Sequence, residues 1–183
     1  LKPENMLIDA EGHIRITDFG VSETFYDKEP VEPLKAQEGP IHKLKGLCGS
    51  CPYIAPEEFT GAEYDGRLVD VWSLGIIYYV MVFRGVPWEM AHSKNELFKH
   101  FLEVGFDGFE SFNRLPTRAR HILRRILEPD PAKRATIEEI WSDEWFQRIR
   151  TCHSGSHAKV SEKTFTYNSD SDHDDVHHHC LEK

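Results

Sequence analysis

Positive charge is scarce in this chain. It has 22 Lys and Arg residues against 31 Asp and Glu residues, which gives a formal net charge of −9. Binding to nucleic acid requires a cationic surface that neutralises phosphates, so this balance argues against a nucleic-acid partner. Long hydrophobic runs are absent too. The longest, residues 76–83, is far shorter than the roughly 20 residues of a membrane-spanning helix. We therefore expect no transmembrane segment and interpret this run as part of a buried helix.

Cysteine is also sparse. Four irregularly spaced Cys residues predict reduced thiols in a cytoplasmic protein rather than a disulfide framework. Cys48 and Cys51 have the CxxC spacing of a zinc-ligand pair, but zinc needs a second pair, and none lies nearby in the sequence. His173 and the run His177-His178-His179-Cys180 allow either a metal site or a merely polar tail, and we favour the polar tail.

Composition divides the chain near Ile149. The 39% of hydrophobic residues is enough for a real core, and most large apolar side chains precede this point. Ser, His and Asp dominate residues 150–183, and such a segment cannot bury enough apolar surface to offset its ordering entropy. We predict one ordered domain over residues 1–149 and a disordered tail over residues 150–183.

A short β-hairpin is predicted at the start of the chain, because Met6-Leu7-Ile8-Asp9 and His13-Ile14-Arg15-Ile16 flank Glu11-Gly12. Residues 21–46 contain Pro and Gly without periodicity, which is typical of a loop. Residues 69–83 are apolar nearly all round, as in a helix buried on every face.

Further helices are predicted from start signals. Ser93-Lys94-Asn95-Glu96 and Thr136-Ile137-Glu138-Glu139 both have the capping-box form. Thr117 can cap another helix, which would carry an apolar stripe. The chain is therefore predicted to be mainly α-helical with one small hairpin.

Three short motifs carry the chemistry: Lys2-Pro3-Glu4-Asn5, Asp18-Phe19-Gly20 and Ala55-Pro56-Glu57. Asp18 offers a carboxylate and Asn5 an amide oxygen, which are the hard ligands that Mg²⁺ prefers. The hairpin between them would bring both to one edge. Gly20 would allow a sharp turn at positive φ, and Phe19 would pack inward and fix the direction of Asp18.

In this order the motifs resemble the carboxy-terminal half of the eukaryotic protein kinase signature set. The resemblance covers residues 1–149. It implies the large (C-terminal) kinase lobe, mainly α-helical, with the hairpin at the catalytic cleft and the amino-terminal lobe absent. By this resemblance, Asn5 and Asp18 hold the Mg²⁺ of bound ATP, Lys2 neutralises charge on the transferred phosphate, and Ser50 contacts the substrate site and the catalytic Asp.

Other positions match the same family. Asp70, in Asp70-Val71-Trp72-Ser73-Leu74-Gly75, corresponds to an Asp that bonds the backbone of the catalytic loop. Arg134 corresponds to the Arg that pairs with the Glu of Ala-Pro-Glu, here Glu57. Lys-Pro-Glu-Asn is the Ser/Thr form of the catalytic loop. Residues 49–59, with Tyr64-Asp65-Gly66-Arg67, resemble the fungal halotolerance and nitrogen-permease-reactivator kinases, which regulate plasma-membrane transporters.

The chain opens on Leu1 where such a kinase would just have completed His-Arg-Asp. We therefore expect a partial catalytic domain of an ATP-dependent Ser/Thr protein kinase that acts on protein substrates and is inactive by itself. The alternative is a truncated or pseudokinase-like lobe that binds proteins without catalysis. Because no Ser, Thr or Tyr lies between Asp27 and Gly49, we also expect a loop ordered without central phosphorylation, with Glu29, Glu32 and Glu38 as candidate anions.

Overall fold

The computed structural model of the chain describes residues 1–25 and 41–149. The tail over residues 150–183 and the candidate anions Glu29, Glu32 and Glu38 lie outside the described residues. Helices predominate, as predicted. The elements are strands β1 (Met6–Ile8) and β2 (Ile14–Ile16), helices α1 (Gly66–Phe83), α2 (Glu96–Gly108), α3 (Thr117–Ile126), α4 (Ile137–Ser142) and α5 (Glu144–Arg148), and short 3-10 helices at Pro3–Asn5, Cys51–Tyr53, Pro56–Thr60 and Glu110–Arg114.

The predicted hairpin is present. Strands β1 and β2 pair antiparallel, with Met6 opposite Ile16 and Ile8 opposite Ile14. Asp9 closes the turn, because its Oδ1 accepts the backbone N–H of His13 at 2.8 Å and its Oδ2 accepts Arg15 Nε at 2.7 Å. The His13 N–H, more than any other group, lowers the pKa of Asp9 from 3.8 to about 2.

Helix α1 lies at the centre of the core. Asp65 caps its start by accepting the Arg67 N–H at 3.1 Å. The helix begins at Gly66, three residues before the start that the apolar pattern predicted. Val71, Trp72 and Ile76 are almost fully buried. The prediction of burial on every face is wrong at the last turn, where Met81 is 66% exposed. This turn extends past the side chains that pack around the middle of the helix.

Among the described residues, α1 is also the one helix long and apolar enough to span a membrane, which the apolar run over residues 76–83 alone did not suggest. Its middle is instead packed against protein. A Cβ added at Gly75 would lie 2.7 Å from side-chain atoms of Ile126 and Leu127, so these side chains at the end of α3 pack directly against the backbone of α1.

An aromatic cluster fills the core between α1 and α2. The indole of Trp88 lies 4.9 Å from the Phe101 ring and 5.0 Å from the Phe98 ring, and it stacks on Trp72 at 5.9 Å between centroids. These spacings lie within the range of favourable ring pairs. A second, smaller cluster joins α1 to α3 and α4 through Val71, Ile122, Ala135 and Ile140.

The capping predictions have mixed outcomes. Thr136 forms the predicted capping box with Glu139, since each side chain accepts the other's backbone N–H. The cap of α2 is Asn95 rather than Ser93, because the Asn95 Oδ1 accepts the Phe98 N–H at 3.0 Å. Thr117 is the first residue of α3 and not its cap; Pro116 holds that position without a side-chain bond.

Candidate active site

Asn5 and Asp18 meet at the open end of the hairpin. The Asn5 Nδ2 donates to Asp18 Oδ2 at 3.2 Å, although the residues are thirteen positions apart. The hairpin register accounts for this approach, since Met6 pairs with Ile16 just inside. The backbone N–H of Thr17 also donates to the Asn5 carbonyl oxygen at 2.9 Å. The structure therefore brings the two predicted oxygen ligands together on one edge.

Lys2 and Ser50 form a second pair beside the first. The Lys2 Nζ donates to Ser50 Oγ at 3.4 Å, across 48 positions of sequence. Lys2 is tied to Asn5 by one turn of 3-10 helix, in which the Asn5 N–H donates to the Lys2 carbonyl oxygen at 3.1 Å. Ser50 precedes the 3-10 helix Cys51–Tyr53, and its carbonyl accepts the Tyr53 N–H at 2.9 Å. The four residues predicted to bind metal, phosphate or substrate, Lys2, Asn5, Asp18 and Ser50, thus lie in one region of the structure.

The predictions for Phe19 and Gly20 are wrong. Phe19 is 67% exposed, and so is most of the nearby residue Val21 in the sequence, so no apolar surface of the described residues covers the Phe19 ring. The positive φ predicted at Gly20 occurs at Asp18, with φ 62°. Gly20 instead places its N–H 3.4 Å from Asp18 Oδ1, and a Cβ there would lie 3.3 Å from that oxygen.

The backbone at Asp18 is informative because left-handed geometry is uncommon outside Gly. Such conformations cost free energy and concentrate at functional sites. Here the geometry turns the carboxylate towards both Asn5 and the Gly20 N–H. An exposed carboxylate and a half-buried amide side by side suit Mg²⁺, which takes one or two protein oxygens and keeps the remaining positions for water and phosphate.

Glu57 and Arg134 form a buried, bidentate ion pair. The Arg134 Nη1 lies 2.6 Å from Glu57 Oε1, and Nη2 lies 2.8 Å from Oε2. The same guanidinium donates to the carbonyl oxygens of Leu68 and Glu128, both at 2.9 Å, and lies 5.0 Å over the Trp72 ring. The pair joins the Ala-Pro-Glu motif to the start of α1 and to the segment before α4.

Asp70 lies next to the segment that carries Lys2 and Asn5. Its Oδ1 is 3.8 Å from the amino-terminal nitrogen of Leu1. Burial raises the pKa of this half-exposed carboxyl. The Leu1 nitrogen is a backbone atom of the predicted loop, but 3.8 Å is too long for a hydrogen bond, so the predicted bond from Asp70 to the loop backbone stays a prediction.

Sequence reasoning missed three residues that shape this site. Thr17 bonds the Asn5 carbonyl through both its N–H and its hydroxyl. Glu58 and Tyr64 are buried beside the loop that leads to Ser50. Thr17 lies directly between a predicted strand and Asp18 in the sequence, and this position could have indicated that it helps to hold the site together. Glu58 directly follows the Ala-Pro-Glu motif but offered no signal of burial.

Comparison with known proteins matches residues 1–146 to the family model described as "Protein kinase domain". The serine/threonine-protein kinase hal4 of Schizosaccharomyces pombe is 40% identical over 162 residues, which is 85% of this chain and 24% of the relative. HAL4/SAT4 of Saccharomyces cerevisiae is 38% identical over 85% of this chain and 25% of the relative.

A third relative, HAL5 of Saccharomyces cerevisiae, is 41% identical over 88% of this chain and 19% of its own length. The chain therefore spans about a quarter or less of the length of these three relatives. The resemblance to fungal Ser/Thr kinases of this group, inferred from the motifs, is confirmed. With the family model covering most of its length, the chain belongs to the protein kinase domain family.

Proposed function

We propose that a protein containing this chain transfers the γ-phosphoryl group of ATP to Ser or Thr hydroxyls of protein substrates, and that residues 1–149 form its large, mainly helical lobe. Phosphoryl transfer depends on positioning and charge neutralisation rather than on covalent chemistry by the protein. The observation that carries the proposal is the meeting of Asn5 with Asp18 at 3.2 Å and of Lys2 with Ser50 at 3.4 Å.

Each residue then has a defined task. Asp18 and Asn5 present oxygens for Mg²⁺, which supplies neutralisation of phosphate charge when bound. The Lys2 ammonium stabilises charge on the phosphoryl group in transit, and its contact with Ser50 supports a position for that cation on the substrate side. Glu57 and Arg134 keep the substrate-facing loop attached to α1. A cytoplasmic location and regulation of plasma-membrane transporters belong to the same proposal, through the resemblance to the halotolerance kinases.

The second candidate is a lobe that binds proteins without catalysis. The exposed apolar side chains of the hairpin, such as Ile8 at 75% and Phe19 at 67% exposure, favour it, because exposed apolar patches mark contact surfaces. The two candidates differ in their dependence on Lys2, since a docking surface has no need of an ammonium beside Ser50.

A kinase assay on the full-length protein that contains this chain tests the choice. The Lys2→Met variant should lose about a hundredfold or more of kcat, as expected for removal of one charge-stabilising group from a phosphoryl-transfer site. Lys99→Met, on the exposed side of α2, is the matched control and should retain activity. Equal activity of the Lys2→Met variant and the wild type, or no transfer by the wild type, would leave only the binding role.

A further inference from the structure

Glu58 is a buried carboxylate that nothing in the proposed chemistry uses. It is 4% exposed and has no cationic ion-pair partner among residues 1–25 and 41–149. It accepts the backbone N–H groups of Ala55, at 3.0 Å, and of Cys48. Its Oε2 also lies 3.5 Å from the Tyr64 hydroxyl oxygen, whose single proton is directed to Gly46. Burying a carboxylate is costly unless it accepts hydrogen bonds. Burial raises the pKa of Glu58, and the N–H groups of Ala55 and Cys48 oppose that increase.

Tyr64 reaches the same loop from the other side. Its hydroxyl donates to the Gly46 carbonyl oxygen at 2.9 Å and lies between that oxygen and the Glu58 carboxylate. Burial, more than the nearby Glu58 charge, raises the pKa of Tyr64 to about 12, so the hydroxyl keeps its proton and stays a donor. The backbones of Leu44 and Tyr64 also exchange two hydrogen bonds, each of 2.9 Å.

Small residues complete this attachment. Gly46 has φ +101°, a conformation that side-chain-bearing residues rarely adopt. The Leu44 side chain packs onto Gly66 at the start of α1, where an added Cβ would lie 2.8 Å from Leu44 Cδ1. The loop therefore has three attachment points, at Leu44, Gly46 and Cys48, and the last lies two residues before Ser50.

We infer that Glu58 and Tyr64 are positioning residues that hold residues 44–48 in place and thereby set the position of Ser50 against Lys2. This inference rests on the proposed function and specifies its regulation. The sequence has no hydroxyl-bearing residue between Asp27 and Gly49, so no Ser, Thr or Tyr within residues 44–48 can carry a phosphate. Glu58 lies buried under this part of the loop, beside the Cys48 N–H and the Tyr64 hydroxyl, and so connects the loop to the segment after Ala-Pro-Glu without any phosphate.

Hydrogen exchange on the 183-residue chain tests the positioning without any need for catalysis. In Tyr64→Phe and in Glu58→Gln, the amides of Leu44, Cys48 and Tyr64 should exchange about tenfold faster, as expected when one buried hydrogen bond is lost. Amides in the middle of α1 should be unchanged. Tyr53→Phe, which removes a hydroxyl from a half-buried Tyr of the same region, is the matched control and should leave the three loop amides protected.

A kinase assay on the full-length protein supplies the second readout. Tyr64→Phe should raise KM for the protein substrate about tenfold with little change in KM for ATP, because the loop faces the substrate and not the nucleotide. Unchanged exchange at the three amides in both variants would overturn the inference, and so would an equal increase throughout α1. Faster loop exchange in a protein without kinase activity would support the positioning and refute the proposed function.

Discussion

Arg134 binds both carboxylate oxygens of Glu57 across 77 positions of sequence, at 2.6 and 2.8 Å. The Arg134 side chain is fully buried and that of Glu57 is 9% exposed. The parallel geometry is the one that suits a planar guanidinium. Because the remaining N–H groups of Arg134 bond backbone carbonyls of Leu68 and Glu128, this residue connects three segments that are distant in sequence.

Glu57→Ala should lower the free energy of unfolding by about 3–5 kcal/mol, because it leaves the Arg134 charge buried without a partner. Chemical denaturation of the two single variants and of the double variant with Arg134→Ala measures the coupling. The double variant should be less destabilised than the sum of the single variants. Glu63→Ala, at an exposed position nearby, is the control. Strictly additive losses would show that the two residues do not interact.

Asp9 should titrate with a pKa of about 2, below its usual 3.8. Because the folded pKa is depressed, the stability that Asp9 contributes is present above pH 4 and is lost as the pH falls towards 2. NMR titration of the Asp9 carboxyl measures this directly. In Arg15→Gln the pKa of Asp9 should stay below 3.8, since the His13 N–H lowers this pKa more than Arg15 does. A midpoint at 3.8 in the wild type would contradict the observed turn.

Activity of the full-length protein should not depend on phosphorylation of this loop. The residues that carry hydroxyls near it are Ser22, Thr24, Tyr26 and Ser50. Treatment with a phosphatase should leave kcat/KM within about twofold of the value for the untreated protein. Some kinase loops are ordered by a phosphate, whereas the buried contacts of Glu58 and Tyr64 need none. A large loss that Ser22→Ala, Thr24→Ala or Tyr26→Phe reproduces would refute this.

A polypeptide of residues 1–183 by itself should transfer no phosphate. Its sequence contains no His-Arg-Asp motif and no Gly-rich loop, and preorganised positioning supplies most of the rate in this chemistry. The purified polypeptide, incubated with labelled ATP, Mg²⁺ and a basic protein substrate, should match a mock preparation. Transfer that disappears in Asp18→Ala would contradict the expectation.

Local patterns predicted much of this structure. The alternation around Glu11-Gly12 gave β1 and β2 within a residue at each end, and that hairpin alone brings Asn5 to Asp18. The capping box at Thr136 was read correctly because both of its bonds lie within four residues. The contact of Glu57 with Arg134 followed from the family resemblance, since no local pattern links positions so far apart. The contact of Lys2 with Ser50 was not predicted.

The errors have physical causes of the same kind. Ser93 and Asn95 both had the chemistry of a cap, and only the path of the chain into α2 decided that Asn95 reaches the Phe98 N–H. Phe19 is apolar, but burial requires a partner surface, which the described residues do not place over it. Nothing in the sequence indicated that Glu58 is buried, because its contacts with Ala55, Cys48 and Tyr64 exist only in the folded chain.

The central claim is that Asp18 holds the metal used in phosphoryl transfer. The most direct measurement is kcat for phosphate transfer from ATP by the full-length protein, wild type against Asp18→Ala, with melting temperature recorded for both. Glu11→Ala, an exposed acid in the same hairpin, is the control. We predict a loss of at least about a hundredfold in kcat for Asp18→Ala, since a metal ion supplies several kcal/mol of charge stabilisation, with an unchanged melting temperature. Near-wild-type kcat in the Asp18→Ala protein would contradict the account.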